Sequence, residues 1–134
     1  EDEYKEKVDE LVKKGIVDFH GFQEEPRPYY AKADCVVMPS YHEGMSNVNL
    51  EASATGRPVI TTDIPGCRES VENLKTGWLC EPKNSDNLYE KMKAFLHTEN
   101  SVREQMGKTA RKKMENEFDK KIVVEKTITA LGLK

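Results

Sequence analysis

Four apolar residues, Cys35 to Met38, run without a polar break and stop at Pro39. A strand wetted on one side alternates apolar and polar positions, so an unbroken run of this length predicts a strand covered on both faces. Comparable short stretches recur as "IVDF" from Ile16, "PVITT" from Pro58 and "GWLC" from Gly77. Segments of helical spacing separate them. Tyr4, Val8, Leu11 and Val12 share one stripe of a helix over Asp2 to Lys14, closed by Gly15. A short helix follows the prolines of "EEPRPYYAKAD", and another spans about Ser46 to Thr55 with Gly56 as terminator. "IPGCRESV" holds a loop and a short helix, and "NSDNLYEKMKAFLHT" opens with a Ser/Asp cap before an amphipathic helix. Segments from Val102 to Glu117 and from Lys120 to Leu131 close the chain. Short strands alternating with helices predict parallel βαβ units, hence an α/β fold: a Rossmann-like open parallel sheet with helices on both faces. The 134 residues form a single domain's worth of chain, 1–134, with a helical tail over about 101–134.

Composition narrows the partners. A net charge of −3 gives no basic field for nucleic acid or an anionic membrane. The run Arg111 to Lys113 sits among helix formers and reads as a solvated face. Cys35, Cys67 and Cys80 are odd in number and widely spaced, which argues for reduced thiols and a cytoplasmic setting, against a disulfide framework or a zinc site. Cys35 and Trp78 read as core; Tyr29 and Tyr30 read as helix packing. Without a cluster of His, Asp and Glu ligands, no metal and no cofactor are expected in the protein site.

In such sheets ligands bind beyond the carboxyl ends of the strands, beside helix N-termini. The loop Ser40 to Met45, after "CVVM", lies at such a place. With a helix starting near Ser46, the first backbone N–H groups face outward with partial positive charge, suited to a phosphate. Glu43 stands on the loop before that mouth. Glu51 lies about 8 Å further along the axis at ~1.5 Å per residue, on a face shared with Val48, Ala52 and Thr55, and is expected to be part-buried. A buried carboxylate needs partners. A vicinal diol such as ribose would serve, which suits a nucleotide sugar: diphosphate at the mouth, ribose on Glu51, sugar hydroxyls on Glu43. An Arg brought near Glu51 by folding would serve as well.

The stretch "EGMSNVNLEASATGRPVITTDIPGCRES" resembles the donor-binding half of the retaining GT-B glycosyltransferases. The resemblance rests on Glu43 and Glu51 separated by seven residues, on Gly56-Arg57-Pro58-Val59 and on Gly66-Cys67-Arg68-Glu69, and it covers about residues 16 to 95. It implies that Glu43 contacts the transferred sugar, the one site residue given a catalytic part, and there as a positioner. It further implies that the backbone of Gly44, Met45 and Ser46 approaches sugar and diphosphate. Glu51 would hold the ribose, Val48 would line the pocket, and the loop at His20 and Gly21 would lie near the base. In that family an earlier Arg and Lys clamp the diphosphate and an N-terminal domain binds the acceptor. Neither is present here, so the chain reads as about two thirds of a donor domain. Its expected partners are a nucleotide sugar and that missing acceptor-binding domain. Peripheral membrane association of the parent and oligomer formation by the piece are compatible with this reading, and nucleic acid is not.

Rival readings are an epimerase on the same scaffold and a non-catalytic assembly module. A glycosidase with paired carboxylates fits poorly, because Glu51 sits inside a helix. His42 reads as a solvated loop residue rather than a general base, His97 as helix surface, and Ser40 and Ser46 lack a nucleophile's histidine.

Overall fold

The computed structural model describes residues 2–118 together with positions 128, 131 and 132. Along the chain run helix α1 (Asp2–Lys13), helix α2 (Arg27–Lys32), strand β1 (Val36–Met38), helix α3 (Asn47–Ala54) and strand β2 (Val59–Thr62). A 3-10 turn (Arg68–Ser70), strand β3 (Gly77–Cys80), helix α4 (Ser85–Leu96) and helix α5 (Asn100–Lys113) follow, and α5 widens into a π turn over Met114–Phe118. The predicted segment Lys120 to Leu131 lies largely outside the described residues.

The strands form one parallel sheet in the order β1-β2-β3, with Val37 opposite Ile60 and Ile60 opposite Trp78. Successive side chains of a strand point to opposite faces, and the core divides accordingly. On one face Val59 packs with Tyr30, Ala52 and Val71, flanked by Val36, Val48 and Leu79. On the other Ile60 packs with Trp78, Phe95 and Met106, flanked by Cys35, Val37 and Leu88. Trp78 meets Phe95 edge-on at 5.9 Å. Helices α2 and α3 thus cover one face, and α4 and α5 the other, which is why the strand sequences read as continuous apolar runs.

Three expectations need correction. All four β2 residues are buried, but "CVVM", at an edge of the sheet among the described residues, is only half-buried. Ile16 to Phe19 forms no strand among the described residues: the Ile16 and Val17 N–H groups both donate to the Leu11 carbonyl, winding the segment onto the end of α1. Ile16 and Phe19 are consequently exposed, as is much of the α1 stripe. The α4 cap is Asn84, one position before the expected Ser/Asp pair; its Oδ1 accepts the Asn87 N–H at 2.9 Å.

Candidate functional site

Helix α3 begins where β1 delivers the chain to the carboxyl edge of the sheet. Ser46, extended and buried, caps it by accepting the Asn49 N–H on its hydroxyl at 3.3 Å. Asn49, fully buried one turn in, donates from Nδ2 to Thr61 Oγ1 at 2.9 Å, and the Thr61 hydroxyl donates to the Met38 carbonyl at 2.9 Å. This chain ties α3 to β2 and β1 together, so the helix mouth is fixed to the end of the sheet. The Asn49 Oδ1 itself has no partner among the described residues.

The loop entering α3 is held from the other side by the second glycine turn. The Gly66 carbonyl accepts the Ser46 N–H at 2.9 Å, and the Gly66 N–H donates to Glu69 Oε2 at 2.7 Å. The spacing Gly66-x-x-Glu69 is therefore a turn locked by its own carboxylate, laid against Gly44. Ser46 was expected to offer its backbone to a ligand, but its N–H is engaged here. The N–H groups of Gly44, Met45, Asn47 and Val48 make no hydrogen bond to protein among the described residues.

Glu43 is half-buried, and Oε1 accepts the Ser40 hydroxyl at 2.9 Å. Ser40, Tyr41 and His42 line a cleft of about 660 Å³ at the carboxyl ends of the strands, closed opposite by Thr62, Cys80 and Lys83. Glu51 departs from expectation: it is exposed, because Ala52 and Ser53 occupy the inward face of α3. Its Oε2 accepts the Tyr30 hydroxyl at 3.0 Å. Burial, reinforced by this carboxylate, pushes the Tyr30 phenol up to about 12. The hydrogen bond to Glu25 raises the Arg27 pKa, with Glu51 adding a minor charge effect, and no ion pair between Arg27 and Glu51 exists among the described residues. Glu51, in the second turn of α3, borders a separate hollow of about 350 Å³ with Arg111, Met114 and Phe118, whereas Glu43 stands on the loop before the helix mouth.

Val48 places its side chain against the Tyr30–Ala52–Val59 core, so its N–H is the part of it left for a ligand. The exposed His20 ring rests 4.8 Å from Tyr29, beside the Gly21 turn; α2 links it to Tyr30 and so to Glu51. A larger hollow of about 820 Å³ lies between the α3–β2 turn and α5, away from the carboxyl edge. Sequence reasoning missed the supports, Asn49, Thr61 and the roles of Gly66 and Glu69. Only the Gly-x-x-Glu spacing signalled any of them.

A parallel sheet with helices on both faces and a helix mouth at its carboxyl edge defines a Rossmann-like α/β domain. The chain belongs to the glycosyl transferases group 1 family, whose sequence model matches residues 1–113. It is 36% identical to the capsular polysaccharide biosynthesis glycosyltransferase CapM of Staphylococcus aureus over 101 residues, covering 75% of this chain and 26% of that protein. Its structure matches sucrose-phosphate synthase from Thermosynechococcus elongatus with a TM-score of 0.84 at 26% identity, covering 97% of this chain and 33% of that one. It shares the fold of Anabaena HepE, crystallised in complex with UDP, with a TM-score of 0.83 at 23% identity, covering 99% of this chain and 37% of that one. The chain thus spans between 26% and 37% of the length of these relatives.

Proposed function

We propose that this chain is the donor-binding part of a longer glycosyltransferase that takes a nucleotide-diphosphate sugar and transfers the sugar with retention of anomeric configuration. The observation that carries this reading is the mouth of α3: four N–H groups unpartnered among the described residues, Glu43 on the loop before them and Glu51 in the second turn of the helix, each carboxylate held through one oxygen by a neighbouring hydroxyl. The diphosphate would sit on the N–H groups, where the helix dipole favours the negative charge that grows as the leaving group departs. Glu51 would accept the ribose hydroxyls. Glu43, steadied by Ser40, would accept hydroxyls of the sugar and position it, and attack from the face of departure needs no enzymic nucleophile. His20 and Gly21 would flank the base. The acceptor would be bound by parts of the protein beyond this chain, and the likeness to CapM supports a role in polysaccharide assembly. No helix of the described residues is long and apolar enough to cross a membrane. We place the reaction in the cytoplasm on the strength of the three free cysteines.

The test is calorimetric titration of the whole protein that carries this chain with UDP, GDP and ADP, beside its Glu51→Gln variant. One nucleotide is expected to bind, and the variant to bind it about tenfold or more weakly, since a hydrogen bond to a charged group contributes roughly 1.5–3 kcal/mol. Equal affinity in the variant, or no binding of any of the three, would sink the proposal.

A further inference from the structure

We infer that Tyr30 is a positioning residue of the donor site, holding the Glu51 carboxylate in the orientation that receives the ribose; the inference rests on the donor-site reading above. Glu51 is exposed on α3 and has no ion pair among the described residues. A free glutamate of that kind samples many rotamers, and ordering it on binding costs side-chain entropy. Among the described residues the single side-chain bond that restrains it is the one from the Tyr30 hydroxyl to Oε2 at 3.0 Å. Oε1 and the second lone pair of Oε2 are left for a diol.

The restraint is effective only if the phenol is itself fixed, and two features fix it. The ring is 9% exposed and packs with Ala52, Val59 and Val71. The backbone behind it is pinned by Arg57, whose Nε donates to the Tyr30 carbonyl at 3.1 Å and whose Nη2 donates to the Ala31 carbonyl at 2.6 Å. Helix α2 is thereby clamped to the start of β2, the strand whose far end anchors α3 through Thr61. Arg57, between Gly56 and Pro58, thus acts on the site at second hand, through the tyrosine. Burial keeps the phenol protonated well above neutrality, so it remains a donor throughout the physiological range.

The experiment uses the whole protein and the nucleotide that binds it most tightly among UDP, GDP and ADP, each compared with its 2′-deoxy form. A carboxylate held for a diol prefers the ribonucleotide. Tyr30→Phe keeps the ring and removes the hydroxyl, and a thermal melt verifies that it folds. The expected result is that Tyr30→Phe binds the ribonucleotide about 3–10-fold more weakly, the effect of one lost hydrogen bond, and that its ribo-to-deoxy preference shrinks by a similar factor. Glu51→Gln should abolish that preference, and the double variant should be no worse than Glu51→Gln. If Glu51→Gln loses the preference while Tyr30→Phe keeps it, the positioning role is wrong and the donor site stands. The positioning role is equally wrong if Tyr30→Phe weakens both nucleotide forms to the same extent, which is the mark of a merely structural tyrosine. If no nucleotide binds, or Glu51→Gln changes nothing, the donor reading falls and takes this inference with it.

Discussion

At the scale of single residues, the geometry of the site hangs on Gly66. Its φ is +90°, and a Cβ added there would lie 1.5 Å from the Gly44 carbonyl oxygen and 2.7 Å from that of Glu43. Both obstacles are backbone, so no side chain can swing aside. Left-handed strain of roughly 1–2 kcal/mol adds to overpacking of about 1–3 kcal/mol. Gly66→Ala should therefore lose about 2–5 kcal/mol in urea denaturation. Gly44→Ala is the matched control: a Cβ there meets nothing within 4 Å, and stability should change by no more than about 0.5 kcal/mol. Comparable losses in the two variants would contradict the close approach of the two turns. The same contact explains which part of the site was legible in sequence. Glu43 and Glu51 stood out because their spacing lies within one loop and one helix. Gly66 acts on residues some twenty positions earlier, and Asn49 acts through Thr61, twelve positions later. Contacts of that reach leave no local pattern to read.

At the scale of elements, the parallel sheet and most helices were legible because burial on both faces writes itself into composition. Segments of equal apolar content still parted company. "PVITT" became the central strand, whereas "IVDF" found no ladder, since strand preference measures a half-built environment more than the backbone. The basic run Arg111 to Lys113, read as a solvated face, is exposed at Arg111 and Lys112, yet Arg111 Nη1 also donates to the Ala54 carbonyl at 2.7 Å, satisfying the C-terminal end of α3. Helix α5 can come that near because Gly107 faces Gly56, where a Cβ would stand 2.1 Å from the Gly56 carbonyl oxygen. Gly107→Ala must push α5 outward from the α3–β2 turn. The backbone clash costs about 1–3 kcal/mol, the higher helix propensity of Ala returns about 0.8–1 kcal/mol, and a net loss of up to about 2 kcal/mol is expected from thermal or urea melts. A variant more stable than the parent would mean that α5 is not seated this closely.

At the scale of the whole molecule, the two faces of the sheet share a weakness in alkali. Tyr30 belongs to the core beneath α2 and α3, and Cys35 borders the core beneath α4 and α5. Burial, then the Glu51 carboxylate, pushes the phenol from its ordinary 10.0 up to about 12, and burial pushes the Cys35 thiol from 9.0 up to about 12. Both groups therefore hold their protons more tightly in the folded chain than in the unfolded one. Where the folded state binds more protons, stability falls as pH rises. The stabilisation is complete below about pH 9, begins to fade as an unfolded cysteine would ionise, and fades further above about pH 10 as an unfolded tyrosine would. It is gone once pH has passed about 12. Urea midpoints should accordingly stay level from about pH 7 to 8.5 and then decline steadily. The comparison that isolates the phenol is with Tyr30→Phe, which should lose the component of the decline between about pH 10 and 12. Parallel declines in parent and variant across that interval would show that the Tyr30 proton is not linked to folding, and would remove the burial argument for its bond to Glu51.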